Sequence, residues 1–310
     1  MKSTDLRKLK VDSAHDGMRL DIFLSHHNND LSRSLLKKQI ETGLVMINGE
    51  VEFKPNYRVK VEDDVEYDVS GIQLSEKEIK PQDIDLDIIY EDENLVAINK
   101  PVGMVVHPAT SNWEGTLVNA LLYRYKKMTD TGEKIRSGLI HRLDKDTSGI
   151  ILVSKTNEGL WYYSKQFSER NIKKTYLALV YGDFQGIAGS SLLKIENYIG
   201  RSERNRKKFS VVPPSKGKKA VTFVKQIKRY NYQGEVYSLL EVLPETGRTH
   251  QIRVHLSKIG LPIVGDSIYS RSRKFPRLML HAWRLEFTMM NGEAKILEAK
   301  PDKLFFNFVI

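Results

Sequence analysis

Three short segments gather residue types able to do chemistry. The first is His141-Arg142-Leu143-Asp144-Lys145-Asp146-Thr147-Ser148-Gly149, which runs into the apolar stretch Ile150-Ile151-Leu152-Val153. The apolar stretch predicts a buried strand and Thr-Ser-Gly a turn before it. Asp144 then sits on a loop braced by a sheet, where reactive side chains are commonly carried. An ionised carboxylate in such a place can act as nucleophile or base. The second segment is Lys174-Thr175-Tyr176-Leu177-Ala178-Leu179-Val180. Strand alternation puts Tyr176, Ala178 and Val180 on one face. The third runs from Thr246 to Leu256 and contains Gly247-Arg248-Thr249-His250-Gln251-Ile252-Arg253. Ile252, Leu256 and Ile259 share helical spacing, with Thr249 the expected cap and Gly260 the expected stop. Arg253 then lies in the first turns of that helix, and an arginine near Asp144 would favour the charged carboxylate.

Each residue also has an ordinary structural role. Asp144 alone would read as a turn or cap residue, and Tyr176 as core packing. Asp146 is the obvious rival carboxylate, with a loop hydrogen bond or ion pair as its usual role. Arg253 has Glu245 as an alternative structural partner, and Arg248 suits a phosphate contact at the turn. His141, His250, His255 and His281 could suggest a metal. The five-residue step from His250 to His255 is wrong for neighbouring ligands on one helical face, so buried, hydrogen-bonded imidazoles and no metal are expected. Lys100 has no glycine-rich phosphate loop beside it, which gives nucleotide binding little support.

The elements that must position these residues are bounded by composition. The chain has 310 residues, no Cys, and 49 Lys plus Arg against 39 Asp plus Glu, a net charge of +10. Absent Cys excludes disulfides, Cys-ligated zinc, iron–sulfur clusters and a thiol nucleophile. At 40 % hydrophobic and 28 % charged residues the composition is globular rather than fibrous or disordered. The first residues hold no apolar stretch typical of a secretory signal, and no apolar run approaches the roughly 18 residues of a membrane span. A cytoplasmic protein without membrane contact is expected, with an anionic partner for its basic charge.

The charge is uneven. Residues 76–93 carry eight acids against two lysines, a net of −6, while residues 201–219 carry eight bases against one acid, a net of +7. The acidic stretch, with Pro81, reads as a linker at 73–87 ahead of a strand beginning at Ile88. The basic stretch, interrupted by Pro213-Pro214 and Gly217, reads as an irregular arm whose Arg204, Arg206, Lys207 and Lys208 face phosphates. Before the linker lies an N-terminal extension, 1–14, and a small module, 15–72. In that module Leu20, Phe23 and Leu24 mark one helix, and Leu35, Leu36 and Ile40 a second, with Ser32 as cap and Gly43 as stop. Val45-Met46-Ile47, Asn48-Gly49 and Val51 then form a hairpin. Arg19, Arg33, Lys37 and Lys38 on the helices suit a phosphate-facing surface.

The module resembles the S4 RNA-binding domain, carried by Arg19-Leu20-Asp21, Phe23-Leu24, Ser32-Arg33-Ser34, Lys37 to Ile40, Gly43 and Val45 to Gly49. Residues 88–301 resemble the RluA family of RNA pseudouridine synthases. The resemblance rests on Asn99-Lys100-Pro101, Val106-His107-Pro108, His141 to Asp144, Thr147-Ser148-Gly149, Tyr176, Gly247 to Arg253 and Leu280-His281-Ala282. The leading S4 module and residues 115–122 point to the branch of that family acting on large-subunit ribosomal RNA, with transfer RNA the other candidate.

The resemblance implies an α+β fold, the catalytic domain (88–310) built on a large mixed, mainly antiparallel sheet. It also implies cofactor-free conversion of uridine to pseudouridine, in which the base leaves C1′ through N1 and returns through C5. Asp144 would attack C1′ or take the 2′ proton. Arg253 would pair with it, Tyr176 would stack on the extruded uracil, and Arg142 would fill the gap left by the base. A monomer is expected. A non-catalytic RNA-binding or ribosome-assembly factor, a base-removing glycosylase and a metal-dependent nuclease are the rival functions.

Overall fold

The structure is a computed structural model, and it describes residues 6–28, 31, 33–68, 79–108, 112–125, 138–190, 192–203, 205, 208–270 and 275–307, apart from the side chains of Arg33, Ser34 and Phe306. The chain divides into two compact units, Met1–Glu78 and Ile79–Ile310.

In the first unit, β1 (Leu6–Lys10) is followed by α1 (Leu20–His26), α2 (Arg33–Glu41), β2 (Val45–Ile47), β3 (Glu50–Val51) and β4 (Asp64–Asp68). The spacing of Leu20, Phe23 and Leu24, and of Leu36 and Ile40, places all five in one core with Val45, Val65 and Tyr67. α2 stops where Gly43 predicts, the Leu44 amide donating back to the Gln39 carbonyl at 3.0 Å. The expected hairpin joins β2 to β3, with Asn48 and Gly49 both left-handed, as its tight turn requires. The segment read as an extension supplies β1, which pairs antiparallel with β4 at the edge of a sheet ordered β1-β4-β2-β3. Ser32, the expected cap of α2, lies outside the described residues.

Among the described residues the second unit is built on ten strands. They are β5 (Ile88–Glu91), β6 (Leu95–Lys100), β7 (Ser148–Ser154), β8 (Lys173–Tyr181), β9 (Leu192–Arg201), β10 (Phe209–Val211), β11 (Lys218–Tyr232), β12 (Glu235–Pro244), β13 (Leu280–Thr288) and β14 (Ala294–Glu298). Their order is β10-β9-β11-β12-β8-β13-β7-β6-β5, with β14 paired to β13. The pairing of β13 with β7 is parallel, and the others are antiparallel. The described residues are thus an α+β fold with a large mixed, mainly antiparallel sheet.

Helices cover this sheet. These are α3 (Leu117–Arg124), α4 (Asn157–Ser168), α5 (Phe184–Ala188), α6 (Gln251–Lys258) and α7 (Lys303–Phe306). All seven residues of β7 are buried, as its unbroken apolar run predicts for a strand covered on both faces. At the β7–β13 crossing a Cβ on Gly149 would stand 2.2 Å from the Ala282 carbonyl oxygen, and its φ is +111°. Only glycine lets the backbones approach so closely.

Two segments read as irregular are more ordered than their composition implies. Asn119 on α3 donates to the Lys80 carbonyl at 2.8 Å and accepts from the Gln82 amide at 3.0 Å, and Asp87 bonds Asn99. The later half of the acidic stretch is therefore fastened to the second unit. Within the basic stretch, Phe209–Val211 forms β10 against β9. Its alternate residues are too few to show a strand period beside the surrounding charge.

Candidate active site

The loop before β7 runs back along that strand. Leu139 bridges Val153, and the Leu152 amide donates to His141 Nε2 at 2.9 Å. Leu143 is buried, and the Thr147 amide closes a turn onto the Asp144 carbonyl at 3.1 Å. Asp144 is thereby held at the tip of a braced turn. Behind it, Lys100 is fully buried, and its Nζ donates to the carbonyls of Pro101, Met104 and Lys145 at 2.8, 2.9 and 3.0 Å. Burial pushes this ammonium down to about 8. Its role is to tie the turn after β6 to the Asp144 turn, not to bind a nucleotide.

The cleft above this turn has a volume of about 570 Å³. Asp144, Tyr176, Arg253, Arg142 and Arg248 all line it, whereas Asp146 does not. Tyr176 lies at mid-sheet, opposite Val242 of β12 and Ala282 of β13. Burial and the charge of Asp144 push its phenol well above the ordinary tyrosine value, so it stays protonated.

Arg253 is the hinge of the site. Its Nε and Nη2 donate to Asp266 Oδ2 and Oδ1 at 2.8 and 2.9 Å. Its Nη1 reaches Asp144 Oδ2 at 3.3 Å. Burial would weaken the guanidinium charge, but the hydrogen bond and charge of Asp266, and the charge of Asp144, outweigh it and raise its pKa. Asp266 also accepts from the Ile268 and Tyr269 amides at 2.9 and 3.0 Å. Burial alone would raise the Asp266 carboxyl, yet these donors hold it below the ordinary carboxylate value. The structural acid of Arg253 is therefore Asp266. Glu245 instead pairs with Arg170 at 3.0 Å.

The cap of α6 differs from expectation. His250, not Thr249, stands at the N-cap, with a left-handed φ of 57°. Gln251 accounts for this by closing the turn itself. Its Oε1 accepts from the Arg248 amide at 3.0 Å and from the Thr246 hydroxyl at 2.7 Å. Gly260 ends the helix as the sequence predicts, the Leu261 amide returning to the Leu256 carbonyl at 2.9 Å.

His141, His255 and His281 are held as structural residues. Burial, with the charge of Lys174, pushes His141 down to about 3. His255 bonds Thr222, and His281 bridges Ser148 and the Ala299 carbonyl. Burial pushes both to about 4. Among the described residues no group of three or more His, Asp or Glu side chains converges as a metal site.

The basic residues named for RNA divide in four. Arg142 and Arg248 line the cleft, Arg248 also donating to the Lys219 carbonyl at 3.1 Å. Lys208 lies over the Tyr269 ring at 5.8 Å. In the first unit, Lys37 and Lys38 are exposed, Lys37 beside Glu41, while Arg19 makes a two-pronged pair with Asp21 at 2.9 and 3.1 Å. Arg204, Arg206, Lys207 and the side chain of Arg33 lie outside the described residues. Sequence reasoning missed Asp266 and Tyr269. Gly265-Asp266 after a helix reads as an ordinary turn, and nothing local signals a partner across α6.

Comparison with known proteins identifies the family of each unit. The RNA pseudouridylate synthase family model matches residues 94–258, and the S4 domain model matches residues 18–65. A protein of Borreliella burgdorferi named ribosomal large subunit pseudouridine synthase D is 38 % identical over 302 residues, covering 95 % of this chain and 89 % of that protein. A Zymomonas mobilis protein of the same name is 40 % identical over 285 residues, covering 87 % of this chain and 86 % of that protein. The solved structure of human RNA pseudouridylate synthase domain containing 1 has a TM-score of 0.58 at 28 % identity, covering 70 % of this chain and 84 % of that one. The chain is a member of the RNA pseudouridylate synthase family, an isomerase, with an S4 domain ahead of its catalytic unit.

Proposed function

We propose that this enzyme converts uridine to pseudouridine in large-subunit ribosomal RNA, with Asp144 as the catalytic carboxylate. The observation that carries the reading is the Asp144–Arg253–Asp266 chain, whose Asp144 and Arg253 line one cleft. The names of the relatives support the ribosomal target. In the reaction the N1–C1′ bond breaks, C5 bonds to C1′, C5 loses its proton and N1 gains one. Asp144, paired with Arg253 at 3.3 Å, attacks C1′ or removes the 2′ proton. The neutral Tyr176 ring stacks on the extruded uracil. Arg142 occupies the space the base vacates, while Arg248 and the basic segment with Lys208 hold phosphates. The first unit adds RNA contacts through Arg19, Arg33, Lys37 and Lys38, and the enzyme works as a cytoplasmic monomer without a cofactor. The test is carbodiimide mapping of pseudouridine in cells lacking the protein, complemented with wild type or Asp144→Asn. Marks in large-subunit RNA that wild type alone restores support the proposal. Marks restored equally by Asp144→Asn overturn it.

A further inference from the structure

His250 has no part in the chemistry above, yet it stands in the cleft. Its Nε2 lies 3.7 Å from Asp144 Oδ2, and its Nδ1 is 2.9 Å from the Tyr269 hydroxyl. The imidazole is held edge-on between Phe209 and Tyr269, each centroid 5.6 Å away. Its backbone is left-handed, a conformation that costs energy in a non-glycine residue and tends to persist where surrounding structure enforces it.

The tautomer follows from the neighbours. The Tyr269 hydroxyl accepts from the Phe209 amide at 2.9 Å and has one proton to give. His250 Nδ1 at 2.9 Å is a nearer acceptor than the Phe209 carbonyl at 3.2 Å. With Nδ1 accepting, the imidazole proton sits on Nε2, the nitrogen 3.7 Å from Asp144 Oδ2, within reach of its charge though beyond a direct hydrogen bond. The opposite tautomer would aim a lone pair at that negative charge.

We infer that His250 is a positioning residue: its Nε2–H, set by Tyr269, orients the Asp144 carboxylate within the cleft. This rests on the reading of Asp144 as the catalytic group. The ionisable groups around the imidazole are Asp144 and Arg142 from the loop before β7, Arg253 on α6, and Asp266 and Tyr269 after α6. Burial, with Arg253 and Arg142, holds its pKa below the ordinary imidazole value against the pull of Asp144 and Asp266. Because Phe209 belongs to β10, Tyr269 also links the basic segment to this carboxylate.

The test measures single-turnover rates of the full chain on saturating unmodified large-subunit RNA, from pH 5.5 to 8.5. The proteins are wild type, His250→Ala, His250→Gln, Tyr269→Phe and Asp144→Asn. Alanine and glutamine bear the same left-handed backbone cost, but only glutamine can place an amide N–H where Nε2 stood. His250→Ala is expected to lower the rate about tenfold, short of the hundredfold that follows loss of a donor in direct contact. His250→Gln recovers most of that rate. Tyr269→Phe keeps the imidazole and lowers the rate in the same direction, so it serves if the His250 variants unfold. Equal rates for the folded variants and wild type across that pH range overturn the inference. If Asp144→Asn turns over at the wild-type rate, the reading of the site itself fails.

Discussion

Arg253 offers two edges of one guanidinium to two carboxylates: Asp266 grips Nε and Nη2 at 2.8 and 2.9 Å, leaving Nη1 for Asp144. Both partners of the gripped edge are almost wholly buried, with side-chain exposures of 4 % and 0 %. A buried pair of this kind fixes geometry more than it adds stability, because desolvation offsets much of the attraction. Asp266 therefore aims the cation at Asp144.

Asp266→Asn tests that aim. Removing one charge leaves Arg253 buried beside a neutral amide, expected to cost about 3 kcal/mol of stability. Turnover should fall on the order of a hundredfold even at temperatures where the variant is folded. Urea unfolding and single-turnover rates measure the two effects separately. Loss of stability with unchanged turnover would reduce Asp266 to a structural partner.

Lys100→Met keeps the aliphatic bulk and removes the ammonium. Three carbonyls, on Pro101, Met104 and Lys145, then lose a donor. A loss of about 2 kcal/mol is expected, with slower turnover from a looser Asp144 turn and unchanged RNA affinity. Filter binding beside turnover separates the last two effects. Weaker RNA binding at unchanged turnover would contradict this role.

Acid stability follows from the buried imidazoles. His255 and His281 have folded values near 4 against an ordinary value of 6.5. Between those values the unfolded chain binds protons that the folded chain refuses, so stability is full above pH 6.5 and falls towards pH 4. Each group contributes at most about 1.4 kcal/mol per pH unit across that window. Asp266, lowered in the fold, adds a further loss once the pH drops below its ordinary value of 3.8. Urea midpoints at pH 7, 6 and 5 should decline in that order. A flat series would show that these rings accept protons without unfolding.

Gly149→Ala probes the β7–β13 crossing. The new methyl meets backbone on Ala282, which cannot swing aside as a side-chain tip would. The positive φ adds strain of about 1–3 kcal/mol before the clash is counted. Thermal unfolding should show a fall of several degrees or more. An unchanged midpoint would mean the strands part at no cost.

These devices differ in how far the sequence discloses them. The Asp144 turn is legible because a polar turn meets an unbroken apolar run, and Arg253 because Ile252, Leu256 and Ile259 fix the phase of α6. Asp266 is hidden because its partner lies across a helix, and a lone Asp after Gly265 carries no period. The His250 cap is hidden because Gln251 closes the turn through its side chain, whereas local rules favour the hydroxyl of Thr249. β1 is short and half exposed, so its pairing with β4 has no apolar alternation to announce it.

On the proposed mechanism the Asp144 carboxylate drives the isomerisation. Its most direct test uses purified full-length protein and unmodified large-subunit RNA carrying tritium at C5 of uridine. Formation of the C5–C1′ bond must release that label to water. Wild type is expected to release it without added metal, and Asp144→Asn to release none above background at equal RNA binding. Release by Asp144→Asn at the wild-type rate would contradict that mechanism.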